Sequence, residues 1–174
     1  MMYAPPEREK NPEERLFSMV LYIVAAIGAI AQYAESLGMN IAGCIVLAIA
    51  GFMVKMQRLT AADTIYASHV QWMSRTMSIG SRFLFPLAIA VMLYLIHAWT
   101  NIEAVKKAFE ASENKDFGVI MNVVRGYITD NEHKIDLIIT GSITPPIVWW
   151  VRRCWYGFAR ANKSEPIDYP DSFF

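Results

Sequence analysis

The run from Leu16 to Ala34 is 19 residues without a formal charge, close to the roughly 20 that an α-helix needs to cross a bilayer. Three further apolar runs follow, one from Gly38 or Asn40 to Val54, one from Phe83 to Trp99 and one from about Leu137 to Val151. Water cannot solvate so much contiguous apolar helix, so a chain built on such runs has to place them in lipid. Composition agrees: 55% of the 174 residues are hydrophobic and 18% are charged, against about a quarter charged in soluble domains. The sequence predicts an all-α, polytopic membrane protein with four transmembrane helices, and the lipid bilayer as its first partner. Net charge is +0, which offers no basic field for nucleic acid.

Residues 1–15 carry Pro5, Pro6, Pro12 and four glutamates, so they are expected to form an extended cytoplasmic arm. A cleavable leader would start basic and pass at once into an apolar core, so the first run is expected to be a retained anchor. Glu35, Ser36, Gly38 and Asn40 turn the chain into the second span. Ala25 and Ala29 on the first span and Gly43 and Ala50 on the second either let two helices approach closely or are ordinary apolar filling. Membrane helices 1–3 thus occupy residues 16–99, with Pro86 near the start of the third and Tyr94 and Trp99 near its far end.

Between the second and third spans lies a polar-faced segment, residues 62–82, read as an amphipathic surface helix. Thr64, Ser68, Gln71, Arg75, Ser78 and Arg82 step by three and four along one face, while Tyr66, Val70, Met73 and Met77 line another. The expected arrangement puts the Met and Tyr stripe at the acyl boundary and the Arg stripe at headgroups or water.

Residues 100–136 form an extracytoplasmic insertion. Ile102, Val105 and Phe109, and then Phe117, Ile120, Met121, Val124 and Ile128, recur at helical spacing on either side of Asn114, Lys115 and Asp116. An outward helical hairpin results, whose apolar faces need each other, the bilayer surface or a protein partner. The fourth membrane helix, 137–156, contains Thr140, Gly141, Ser142, Thr144, Pro145 and Pro146, so its middle is expected to kink or unwind. It either packs against its neighbours or lines a cavity. Trp149, Trp150, Arg152, Arg153, Trp155 and Tyr156 crowd its exit, and a cytoplasmic tail, 157–174, closes the chain. Eleven Lys and Arg fall on the side of the termini and the surface helix, against five on the side of the insertion. The positive-inside rule then places both termini in the cytoplasm.

Arg58, Thr64, Ser68, His69, Trp72, Arg75 and Thr76, in a segment reading T-x-x-x-S-H-x-x-W-x-x-R-T, together with Trp150, Arg153, Gly157 and the Glu165, Pro166, Ile167 run, resemble a known signature. It is that of a group of small bacterial inner-membrane proteins of unknown function, distantly grouped with the import-channel subunit of the chloroplast inner envelope. The likeness covers roughly residues 16–99 and 137–170. This chain departs from the group in Met77 and Ser78, where an aromatic pair is commoner, and in its long insertion. The resemblance implies three or four helices around a polar-faced surface helix in a bacterial inner membrane, and no established activity.

His69 has two readings, a proton-responsive group or a member of an interhelical hydrogen-bond network that orients Trp72. Arg75 and Arg82 with Lys55 and Arg58 form a basic rim that either attracts acidic lipid or merely sets topology. The three histidines, His69, His97 and His133, do not share a span at ligand spacing, and Cys44 and Cys154 sit at different depths with no CxxC. Haem, zinc and other cofactors are therefore not expected. Ser68 and His69 are adjacent, which points them apart on a helix, and no clustered carboxylates occupy the spans. The expected role is a non-enzymatic integral membrane subunit or accessory factor of a larger inner-membrane assembly, such as a secretion or respiratory complex. Its protein partners would bind through residues 100–136 and the cytoplasmic ends. The alternative is a small channel or translocation component in which Thr140, Ser142, Thr144, Pro145 and Pro146 line the pathway.

Overall fold

The computed structural model describes residues 12–34, 36–57, 65–100, 102–111 and 117–173. The described residues are helical, with no strand among them. Helix α1, Pro12–Ile30, opens with Pro12 in its first turn, where the missing amide costs no hydrogen bond, and with Glu13 and Glu14 against the positive end of the helix dipole. A 3₁₀ turn, Ala31–Tyr33, ends it, and Ala34 is extended. Helix α2, Leu37–Gln57, follows. Three helical runs are long and apolar enough to cross a membrane: Pro12–Tyr33, Gly38–Gln57 and Ala67–Trp99.

The small residues on α1 and α2 are contact residues. Ala25, Ala29 and Ala50 are fully buried, and a Cβ on Gly43 would stand 2.9 Å from Ala31 Cβ and 3.0 Å from the Gly28 carbonyl oxygen. Only a hydrogen fits there, so the backbones approach closely. Gln32 Nε2 donates to the carbonyl oxygens of Gly28 at 3.3 Å and Asn40 at 3.4 Å, tying the turn. The outward side of α2, with Ile41, Ile45, Ile49, Phe52 and Met56, is exposed.

The third run corrects the expectation of a surface helix separate from its span. Helix α3, Ala67–Ile79, passes through a π turn, Gly80–Leu84, directly into α4, Phe85–Trp99. The widened turn has a physical cause in Pro86, whose ring would press on the carbonyl four residues back, at Arg82, in a regular α-helix. The stripe assigned to the acyl boundary is also placed differently. Tyr66, Val70 and Met73 are buried in protein at 3% exposure or less. Arg58 and Thr64 lie outside the described residues.

Helix α5 spans Ile102–Ala111, and its Glu103–Lys106 ion pair, 2.9 Å long, is exposed, so it adds little stability. Helix α6 runs unbroken over 46 residues, Phe117–Asn162. Two expectations change here. The second half of the insertion is the opening of one long helix that runs on through the segment expected as the fourth span, and Thr140–Pro146 is helical, not unwound. Pro145 and Pro146 each lack an amide N–H, yet the helix is continuous on both sides, and Thr144 donates its hydroxyl to the Thr140 carbonyl at 2.6 Å. Such local side-chain bonding is how proline is tolerated within apolar helices.

The chain divides into two compact units, one formed by the residues up to Phe83 together with Ile147 onward, the other by Leu84–Pro146. In the second unit Thr100 ends α4, with its amide on the Ile96 carbonyl and its hydroxyl hydrogen-bonded to that of Tyr127. The first unit holds the core and the site described next.

Candidate functional site

The last turn of α6 determines where the carboxyl-terminal residues go. Ser164 takes a left-handed conformation at φ 55°, Glu165 N–H bonds back to the Arg160 carbonyl at 3.0 Å and Ser164 N–H to that of Ala161 at 3.0 Å. This pair of bonds around a left-handed residue is a standard helix stop, and it turns the chain back over the preceding helix. Arg160, paired with Asp168 and with Glu165, holds the returning tail.

The tail lies across α3. Ile167 N–H donates to Ser68 Oγ at 2.9 Å, and the Ser68 hydroxyl itself donates to the Ile65 carbonyl at 2.9 Å. His69 Nε2 is 2.8 Å from the Glu165 carbonyl oxygen. A carbonyl only accepts, so Nε2 carries the proton, and Nδ1 is left to accept from the Tyr22 hydroxyl at 3.0 Å. The neutral imidazole thus satisfies both neighbours at once, in a ring that is 1% exposed and set edge-on to Tyr22 and tilted over by Tyr66. Of the two readings of His69, the interhelical network is the one the geometry matches. Its partners are Tyr22 and Glu165, and Trp72 is oriented by other groups.

Arg153 is the centre of the second half. Its guanidinium lies 3.5 Å from the centroid of Trp72 and 5.1 Å from that of Trp149. Nε donates to Thr76 Oγ1 at 2.8 Å, and Nη1 to the carbonyls of Ser172 at 2.7 Å and Phe173 at 2.9 Å. The Thr76 hydroxyl donates to the Trp72 carbonyl at 2.8 Å, and the Trp72 indole N–H donates to the Arg153 carbonyl at 3.1 Å. Trp149 Nε1 donates to the Phe173 carbonyl at 3.1 Å. Among the described residues no carboxylate pairs with Arg153. Its charge is compensated by oxygen dipoles and by the negative faces of two indoles. Arg153 was expected at a headgroup interface with Trp150, but both are 2% exposed.

Two glycines permit this packing. A Cβ on Gly157 would fall 2.2 Å from Tyr22 Cζ, and one on Gly80 would fall 2.0 Å from Trp150 Cζ3. The structure therefore gathers Ser68, His69, Trp72, Thr76, Trp150, Arg153 and Gly157 into one cluster, from two stretches more than 70 residues apart in the chain. Arg75 is exposed on the outer face of α3. Thr140 and Pro145 are exposed, Ser142 and Thr144 half-buried and Pro146 buried, and this set belongs to the other unit.

Sequence reasoning missed Tyr22 and the carbonyl acceptors of the tail. A signal for Tyr22 existed, since a phenol near the middle of an uncharged 19-residue run needs a partner at that depth. Backbone carbonyls carry no sequence signal at all. The cluster is buried and its polar groups face one another, so it can hold three helices and the tail in register. Among the described residues no group of three or more His, Cys, Asp or Glu could hold a metal ion. Compared with protein-family models, curated proteins and solved structures, the chain matches none.

Proposed function

We propose that the protein is a non-enzymatic integral membrane subunit or accessory factor of a larger bacterial inner-membrane assembly. The observation that carries this reading is the opening of α6. Phe117, Met121 and Ile128 share one face and are exposed, Phe117 at 75%, while Asp130, Glu132, His133, Lys134 and Asp136 follow within the next two turns. That density of charge keeps the segment out of the hydrocarbon, so its apolar face needs protein to cover it. The buried cluster supports a structural role for the motif residues, since Ser68 and His69 are engaged in internal hydrogen bonds.

In this reading both termini and the clamp face the cytoplasm, and residues 100–136 face outward, as the distribution of Lys and Arg favours. The run Ala67–Trp99 has 33 residues, more than the roughly 20 that one crossing needs. The likeness of the Ser68–Thr76 and Trp150–Ile167 stretches to the uncharacterised inner-membrane group supports the same placement. The alternative, a small channel or translocation component lined by Thr140, Ser142, Thr144, Pro145 and Pro146, would use one face of a continuous helix, because α6 is not unwound there.

The test is solubilisation of the intact chain in mild detergent, followed by native mass measurement. A complex with a second protein, lost on Phe117→Asp or Met121→Asp, is the expected result. A monomer that brings down no other protein from any growth condition overturns the reading.

A further inference from the structure

We propose that the groove between α1 and the end of α6 binds one phospholipid, an acyl chain lying in the groove and the headgroup phosphate at Arg15. The groove, open along one side, has a volume of about 140 Å³, similar in size to the ~150 Å³ of an enclosed apolar cavity that takes up benzene. Tyr22, Ile23 and Ala26 form its α1 wall, and Val151, Cys154 and Trp155 its α6 wall, with no charged side chain among the lining residues. Its origin is local. Gly157 lets the Tyr22 ring press against α6, while Ala26 and Cys154, both small, leave the next turn unfilled. Water gains no hydrogen bonds in such a space, whereas methylene groups recover the dispersion contacts that the gap forfeits.

Two observations select a phospholipid. First, the groove continues a lipid-facing surface. Ile23 on its rim belongs to the exposed stripe Val20, Ile23, Ile27 and Ile30, on a helix long and apolar enough to cross the bilayer. Trp155, 70% exposed and stacked on Phe158 at 6.1 Å, stands at the lip as interfacial aromatics do. Second, the charge at one end is complementary to phosphate. Arg15 lies two turns before Tyr22 on the same face of α1, about 10 Å along the axis. Its Nη2 donates to Asn162 Oδ1 at 3.0 Å, on the residue one turn beyond Phe158, and no ion pair engages it among the described residues. The remaining guanidinium donors suit a phosphate oxygen pair. The proposal does not depend on the subunit role, since lipid is held with or without a protein partner.

The test uses the full chain in mild detergent with added dioleoylphosphatidylglycerol or dioleoylphosphatidylcholine, read by native mass spectrometry after the detergent is stripped. One phosphatidylglycerol per chain, retained in preference to phosphatidylcholine, is expected. Filling the groove by Ala26→Leu, or covering its rim by Ile23→Trp, should lower the bound fraction by about tenfold, a change of 1.4 kcal/mol. Arg15→Gln should abolish the preference between the two lipids and leave chain-dependent retention. Ile23 is half exposed, so its variant keeps the test open should Ala26→Leu fail to fold. Equal retention in wild type and both groove variants overturns the proposal, as does a dimer of the chain that excludes lipid.

Discussion

Ser164 sits in the left-handed region at φ 55°, a conformation that costs a residue with a Cβ about 1–2 kcal/mol. Its weak contact from the Tyr66 hydroxyl, at 3.4 Å, offsets little of that. Ser164→Gly should therefore raise the unfolding free energy by up to about 1 kcal/mol, seen as a higher midpoint in thermal unfolding in detergent. Gly157→Ala should act in the opposite sense. Its Cβ would enter the Tyr22 ring at 2.2 Å, and overpacking of this kind costs about 1–3 kcal/mol. Arg153→Met keeps the stem between the indoles but strands Thr76 and two carbonyls, with an expected loss of about 3 kcal/mol. Arg153→Lys restores the charge without the planar fork, so it should recover less than half of that loss. Recovery to wild-type stability in the Lys variant would show that charge alone matters there.

At the level of elements, the tail and α3 form one unit. Removing residues 164–174 takes away the acceptors of His69 and Arg153 and the donor to Ser68 together. The truncated chain is expected to unfold at a lower temperature and to be cut within α3 by protease, where the full chain is protected. Unchanged protection would mean that the tail merely rests on the helix. Pro145 lies inside a continuous helix, where proline costs ~3 kcal/mol relative to alanine. Pro145→Ala should then be neutral or stabilising. The three apolar runs were legible from their lengths alone. The π turn at Gly80–Leu84 and the unbroken Pro145–Pro146 helix were not. Breaker residues state a local preference, and the surrounding hydrogen-bond ladder, with Thr144 reinforcing it, outweighs that preference.

For the molecule as a whole, the reading of termini inside and residues 100–136 outside makes a labelling prediction. In intact cells a membrane-impermeant maleimide should modify a cysteine placed at Lys107 and spare one placed at Tyr169, both exposed positions. Equal labelling of the two would overturn the orientation.

What the amino-acid order determined by itself was the solvent: lengths of uncharged helix are additive along the chain, and no partner is needed to read them. It also placed Ser68, His69, Trp72 and Thr76 at helical spacing in one segment, to which the fold brings Arg153. Only the tertiary structure decided what the group does. The partners that occupy it are Tyr22 from another helix and carbonyl oxygens of the returning tail, and a carbonyl is the same at every residue. Whether a polar side chain at helical spacing faces water, lipid or another helix depends on which backbone comes back to meet it, and that is set by packing across the whole chain.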